Sequence, residues 1–223
     1  MNSSEWVDEG FYWRHTAEQG TDLWKKARIG RCTGTTNNGK SSFGETKDNI
    51  ADCICGIKKK LFTPEQRYRM DLGTENEPNG RKFYEKKYNK KVTEIGFCVP
   101  KFNLNIGASV DGISEDENGI IEIKCPQKMY YTLKKKNREI YFSHYKQMQF
   151  NMAVTNTKFC DYIVYGLDGK VYIQRVTFDS EYWKELYYQT VVFWNKKVKP
   201  RLESSEIKIL MPPTKIISEN LKF

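Results

Sequence analysis

Apolar residues recur at three- and four-residue steps through the first third of the chain. They alternate through its middle and return to helical spacing near its end. Thr21 can cap a short helix, Asp-Leu-Trp-Lys-Lys-Ala-Arg, whose Leu23 and Trp24 supply an apolar side. Residues 46–61 form a second helical stretch, with Ile50, Cys53, Ile54 and Ile57 on one face. A third starts where Thr63 suits the N-cap, Pro64 the first turn and Gln66 the capping-box position. It runs to about Tyr88, and Gly73 and Pro78 predict a break or kink within it. Residues 92–99, 104–113 and 119–125 then read as consecutive strands, the last two joined by the turn Glu-Asp-Glu-Asn-Gly. A helix over 143–154 follows. After it comes a hairpin over 159–178 turning at Asp168-Gly169, and then a helix capped by Ser180 and ended by Pro200. Trp183, Tyr187 and Trp194 fall at helical steps on that last helix, a core-packing pattern. The whole predicts one mixed α/β (α+β) domain, a central mixed sheet flanked by helices. Residues 201–223, polar and then apolar around 207–213, take no predicted element.

Composition narrows the class. Of 223 residues, 39% are hydrophobic and 14% aromatic, enough for a core and too much for global disorder. No apolar run reaches the roughly 18–20 residues of a membrane span. The first ten residues are polar and acidic, unlike a secretory signal. The expectation is therefore an intracellular protein, neither secreted nor membrane-bound. Lys and Arg number 37 against 28 Asp and Glu, a net charge of +9 that suits a polyanionic partner without requiring one. The six cysteines contain no Cys-x-x-Cys pair, so neither a zinc knuckle nor a disulfide framework is expected, and buried thiols are. His15 and His144 are too few for a histidine metal site.

The chemistry lies in the middle strands. In Gly-Ile-Ile-Glu-Ile-Lys, Ile121 and Ile123 face one way, and Glu122 and Lys124 the other. Asp111 ends the preceding strand with ten residues between it and Glu122, so a turn brings two carboxylates and an ammonium together. Adjacent carboxylates repel, and a divalent cation relieves them. An all-oxygen set suits Mg²⁺, with Mn²⁺ as a substitute, better than Zn²⁺. Such a group fits metal-assisted phosphodiester hydrolysis.

Asp-x(10)-Glu-x-Lys across two strands resembles the core of the PD-(D/E)XK nucleases. The surrounding words run in the order of one branch of them. These are Leu23-Trp24 with Arg28, Gly30, Thr33 and Thr35; then Gly73-Thr-Glu-Asn-Glu77 with Arg81; then Ser109-Val-Asp111-Gly112; then Glu122-Ile-Lys124-Cys-Pro; then His144-Tyr-Lys-Gln147-Met-Gln149. Together they resemble the lambda-exonuclease (YqaJ-type viral recombinase) family over about residues 19 to 200. The resemblance implies a nuclease domain over 1–200 with a C-terminal extension over 201–223. Asp111, Glu122 and the Ile123 carbonyl would hold metal, with Glu77 completing the set through water. Lys124 would position the attacking water, and Gln147 the nucleophile or the terminal phosphate. Arg28, Thr35, Ser109 and Gln147 would receive a 5′-phosphate. Val110 replaces the usual proline, and Thr35 replaces a serine while keeping its hydroxyl. The implied activity is a Mg²⁺-dependent 5′-to-3′ exonuclease on double-stranded DNA ends, serving viral or phage recombination. Implied partners are DNA ends, a single-strand annealing protein and further copies of the chain in a homotrimer. The compartment would be the host cytoplasm or nucleus if the chain is viral.

Other readings compete. A structure-specific or nicking endonuclease would use the same residues. Gly34–Ser41 satisfies the P-loop pattern Gly-x(4)-Gly-Lys-Ser, yet no apolar strand precedes it and two arginines do. Among the basic runs at 58–60, 134–138 and 196–199, Lys134, Lys135, Lys136 and Arg138 lie between the Glu-x-Lys strand and the Gln147 helix, where they would follow a DNA backbone.

Overall fold

Three threonines turn extended chain into helix near the N-terminus. The hydroxyls of Thr21, Thr46 and Thr63 accept the backbone N–H three residues on, starting α1 (Asp22–Arg28), α2 (Lys47–Ile54) and α3 (Pro64–Tyr88). The computed structural model describes residues 5–36, 46–114, 118–128, 133–134 and 139–213. Thr63 and Gln66 complete the reciprocal capping box expected of them. α2 stops well short of residue 61 because Gly56 takes a left-handed conformation (φ 72°) just past its end. α3 is not broken at Gly73 or Pro78. The proline costs about 3 kcal/mol in a free helix, but here the next turn is clamped to the sheet. A Cβ on Gly80 would lie 2.9 Å from the Ile123 side chain, and the Tyr84 hydroxyl donates to Asp161 at 2.5 Å.

The central sheet contains β3 (Val92–Thr93), β5 (Gly112–Ser114), β6 (Gly119–Lys124), β9 (Phe159–Tyr165) and β10 (Val171–Thr177), in the order β10-β9-β6-β5-β3. Neighbours are antiparallel except β6 and β9, a parallel pair joined through α4 (Phe142–Thr155). Between β6 and α4 lies the small hairpin β7 (Leu133–Lys134) and β8 (Glu139–Ile140). A second, three-stranded sheet pairs β1 (Trp6–Asp8), β2 (Tyr12–His15) and β4 (Cys98–Pro100).

Residues 92–99 are thus not one strand but two, in different sheets, and 104–113 supplies only bridges from Ile106 and Ala108 before β5. Two glycines make the crossing. A Cβ on Gly96 would fall 1.9 Å from the His15 carbonyl oxygen, and one on Gly107 would fall 2.2 Å from the Phe97 ring. The backbone therefore approaches where no side chain fits, and the strands divide there.

The β9–β10 hairpin turns through Gly166–Lys170, with Gly169 at φ 79°, a longer loop than the two-residue turn expected. Asp179 rather than Ser180 caps α5 (Ser180–Phe193), accepting from the Tyr182 N–H at 2.9 Å. Pro200 does not end the helical run. A π-helical turn (Trp194–Val198) widens the spiral, and α6 (Lys199–Glu203) continues through the proline. Beyond it, the Leu210 carbonyl accepts from Arg31 and Ile209 packs over Gly30.

The sheet is covered on both faces. Ile121, Ile123 and Ile163 pack with Tyr84 of α3, while Ile120, Tyr162 and Val164 pack with Met148, Phe150 and Met152 of α4 and Leu186 of α5. Trp183, Tyr187 and Trp194 lie against this second cluster. No disulfide joins the six cysteines, and Cys32, Cys55, Cys98, Cys125 and Cys160 are buried. Among the described residues no helix is long and apolar enough to cross a membrane.

Candidate active site

β5 and β6 run side by side, with Gly112 opposite Ile121, and this register brings Asp111 against the end of β6. Asp111 Oδ2 accepts the Ile123 backbone N–H at 2.6 Å. Its carbonyl accepts two bonds from Arg81 (3.3 and 3.1 Å), which also pairs with Glu94. Alternation on β6 turns Glu122 toward α4 at 1% exposure. There Oε1 accepts from Lys124 at 2.5 Å and Oε2 accepts from Asn151 at 3.4 Å. Glu77 projects from α3, half-buried, into a cavity of about 1020 Å³ that Ile123, Lys124, Gln127, Tyr141 and His144 also line. Glu75, one turn short of Asn79 on α3, is exposed and lies outside this lining.

Burial pushes the Glu77 and Glu122 carboxyls up to about 7. Asp111 adds to both shifts and Lys124 opposes both. Asp111 itself is also raised by burial, against the pull of Lys124 and the Ile123 N–H. For Lys124, burial works to lower the pKa, but Glu122 and Asp111 outweigh it, so the ammonium stays protonated. His144 is neutral: burial and Lys124 lower it to about 3, and Nδ1 shares a hydrogen bond with the Tyr162 hydroxyl at 2.7 Å. Three acids are thus crowded until their carboxylates are disfavoured, with Lys124 and Arg81 pulling the other way, a crowding that a bound cation would relieve. Among the described residues no three His, Cys, Asp or Glu side chains are gathered tightly enough to cage a metal by themselves. The groups that could hold a cation are the Asp111 and Glu122 carboxylates, the Ile123 carbonyl and Glu77 at the cavity wall. That fits Mg²⁺, which takes one or two carboxylates and keeps several waters.

A second group adjoins the first. Arg28 Nη1 donates to Ser109 Oγ at 2.8 Å, and its guanidinium lies 4.3 Å from the centre of the Trp24 ring. Burial lowers the Arg28 pKa to about 10, and among the described residues no carboxylate is in ion-pair contact with it. A half-buried cation with no counter-charge among the described residues is suited to an anionic ligand. Thr35 is exposed. Its hydroxyl faces Thr33 at 3.4 Å and makes no bond to Arg28 or Ser109. The Thr33–Thr36 turn nonetheless reaches Gln147. A Cβ on Gly34 would lie 3.0 Å from Gln147 Cγ and from Asn151 Oδ1, so a side chain there would press on these two residues of α4.

Of the other expected residues, Gln149 is structural, donating to the Thr177 carbonyl and accepting from the Asp179 N–H, both at 2.8 Å. Lys134 is in β7, its side chain outside the described residues; Lys135, Lys136 and Arg138 lie outside them entirely. Lys58, Lys197 and Lys199 are held in ion pairs with Asp52, Asp48 and Glu203. Of the P-loop pattern, Lys40 and Ser41 lie outside the described residues. The described chain before it is α1 followed by a single bridge at Cys32, not a buried strand. Sequence reasoning missed Asn151 and the role of Arg81. Asn151 carries a readable signal, a polar residue one turn beyond Gln147 inside the apolar run from Met148 to Val154.

An acid just before β5 and an acid and a lysine on β6, in a mixed sheet covered by helices, form the arrangement expected of a nuclease. A family model described as the YqaJ-like viral recombinase domain matches residues 23–158, and the chain belongs to that family. Among solved structures it is similar to the alkaline exonuclease LHK-Exo from Laribacter hongkongensis. Identity is 26% and the TM-score 0.68, covering 82% of this chain and 95% of that one. LHK-Exo in complex with dAMP gives 25% identity and a TM-score of 0.69 over the same shares. A phage related exonuclease from Haemophilus somnus 129PT shares the fold at 12% identity and a TM-score of 0.56, covering 78% of this chain and 96% of that one. A comparison with curated proteins yields no match.

Proposed function

We propose that this nuclease is a Mg²⁺-dependent 5′-to-3′ exonuclease that enters duplex DNA at a 5′-phosphorylated end and leaves a 3′ single strand. The observation that carries the reading is the pairing of two sites. The crowded acids Glu77, Asp111 and Glu122 beside Lys124 adjoin Arg28, which is bonded to Ser109 and has no carboxylate in ion-pair contact among the described residues. Arg28, the Ser109 and Thr35 hydroxyls and Gln147 would hold the terminal phosphate, the guanidinium supplying charge and the hydroxyls neutral donors. Gln147 would help place the nucleotide. Lys124, held as an ammonium, orients the attacking water rather than taking its proton. His144, neutral and bonded to Tyr162, walls the cavity without adding charge. Mg²⁺ or Mn²⁺, held by Asp111, Glu122, the Ile123 carbonyl and (through water) Glu77, would supply polarisation of the phosphoryl group and stabilisation of the leaving oxygen. The dAMP bound to LHK-Exo is in keeping with a mononucleotide product.

We also take from the family an intracellular setting in viral or phage recombination, a homotrimer and a single-strand annealing partner. The basic stretch 134–138 would follow the DNA backbone. The test is digestion of linear duplex with a 5′-phosphate or 5′-hydroxyl, and of a closed circle, in Mg²⁺ or EDTA. Fast loss of the phosphorylated linear form in Mg²⁺ is expected. A circle cut as fast as the linear form would instead assign an endonuclease, and full activity of Lys124→Ala or Asp111→Ala would remove the site assignment.

A further inference from the structure

The two groups just described are joined by one side chain. Asn151, 2% exposed on α4, directs its amide nitrogen at Glu122 Oε2 (3.4 Å) and at the Ser109 carbonyl (3.5 Å). Ser109 Oγ in turn accepts from Arg28, and Glu122 Oε1 accepts from Lys124. A continuous line therefore runs from Arg28 through Ser109, Asn151 and Glu122 to Lys124. Its two outer segments belong to separate functions, and among the described residues the amide of Asn151 spans them. The same side chain lies under Gly34, next to Gln147 one turn earlier on the helix, so the pocket's turn also rests on it.

An amide is suited to this role. It donates two hydrogens in fixed divergent directions and carries no charge, so it can hold a carboxylate and a carbonyl together without competing for a cation. We propose that Asn151 is a positioning residue that ties terminal-phosphate recognition to cleavage by holding the Ser109 backbone and the Glu122 carboxylate in one frame. This rests on the reading of Arg28 and Ser109 as the phosphate pocket and of Glu122 as part of the cleavage site.

The experiment compares the wild-type chain with Asn151→Leu, close in shape but without donors, and with Asn151→Ser, which keeps one. Thermal melts establish that each variant is folded. If the leucine variant is not, the serine variant carries the test, with smaller changes expected. The Ser109 link is read in EDTA, as the ratio of affinities for 5′-phosphate and 5′-hydroxyl duplexes by fluorescence anisotropy. The Glu122 link is read in Mg²⁺, as the turnover of the 5′-hydroxyl duplex at saturating DNA. The proposal expects both to fall about three- to tenfold in Asn151→Leu, as the loss of weak bonds to a buried carboxylate implies. A change in one alone, or in neither, overturns the tie. A wild-type chain that does not distinguish the two ends overturns the phosphate-pocket reading and the tie with it. A preserved wild-type preference with an indifferent Asn151 overturns the tie alone.

Discussion

Glu77→Gln should make the metal-free protein more stable above neutral pH while damaging its catalysis. Burial and Asp111 raise the Glu77 carboxyl from its ordinary 4.5 to about 7. In an unfolded chain it titrates near its ordinary value. Below that value both states hold the proton, and the group does not affect stability. As pH climbs from 4.5 to about 7 the unfolded chain gives up a proton that the folded site retains, so folding loses free energy throughout this window. Above it the loss is complete and constant. At about 1.4 kcal/mol for each pH unit the penalty is about 3 kcal/mol. Glu77 is half-exposed and shares its titration with Glu122 and Asp111, so about 1–2 kcal/mol is the part assignable to it. For a chain of this size that is a rise in Tm of roughly 2–8 °C for the variant at pH 8 in EDTA.

The assay is a set of thermal melts of wild type and Glu77→Gln at pH 4.5 and 8, with EDTA or Mg²⁺. Taking the difference between variant and wild type at each pH cancels groups the two share, including the buried histidines, which pull the opposite way. The difference should be near zero at pH 4.5 and positive at pH 8. Mg²⁺ should raise the wild type at pH 8 more than the variant, because a bound cation relieves the same crowding. A variant that melts below the wild type at pH 8 in EDTA would refute the argument: Glu77 would then be held by attractive contacts rather than crowded by its neighbours.

Arg28→Lys keeps the charge but loses the planar fork, so the preference for a 5′-phosphate over a 5′-hydroxyl end should drop about tenfold. Unchanged end selectivity in a digestion assay would count against the pocket. Arg31 is 1% exposed and donates to the carbonyls of Ala27, Leu104 and Leu210. Arg31→Met strands these acceptors and should cost about 2–4 kcal/mol in a urea titration. Removing residues 207–223 in addition should cost less in that variant than in the wild type, since the Leu210 contact is already gone. His15 is fully buried, and burial lowers its pKa against the pull of Glu5. Its neutral form therefore contributes stability that is full above about 6.5 and declines as pH falls below it. His15→Gln should flatten the acid side of a Tm-versus-pH profile, and an unaltered profile would exclude the residue as its source.

Helix starts were legible because a threonine hydroxyl and the N–H three residues on meet within one turn, whatever surrounds them. Thr21 and Thr63 behave as their sequence suggests. Helix interruptions and strand lengths were not, because they depend on distant partners. Pro78 would disrupt a free helix and does not disrupt one clamped through Gly80 and Tyr84. Gly96 and Gly107 look like ordinary strand glycines until His15 and Phe97, from other parts of the chain, are brought against them. The N-terminal strands β1 and β2, three and four residues long, carry too little alternation to be read at all.

The candidate site divides along the same line. Glu122 and Lys124 alternate with isoleucines on one strand, so their shared face follows from local geometry, and Asp111 needs only the β5–β6 turn to join them. Asn151 is visible in sequence as a polar residue one turn beyond Gln147 in an apolar helix, but that signal names no partner and no role. Its meaning arises only when α4 crosses the sheet at the level of Glu122 and the segment from β4 to β5 brings Ser109 to the same point. The charges borne by Asp111, Glu122 and Lys124 are therefore local in origin, whereas Glu77 comes from α3. The residues that hold the charges in register, Asn151 from α4 and Arg81 from α3, are supplied by helices that pack on the sheet from elsewhere in the chain. Substitution of Asn151 should accordingly alter alignment without altering the charge of the site, whereas substitution of Arg81 also removes a cation that holds the Glu77 and Asp111 carboxyls down.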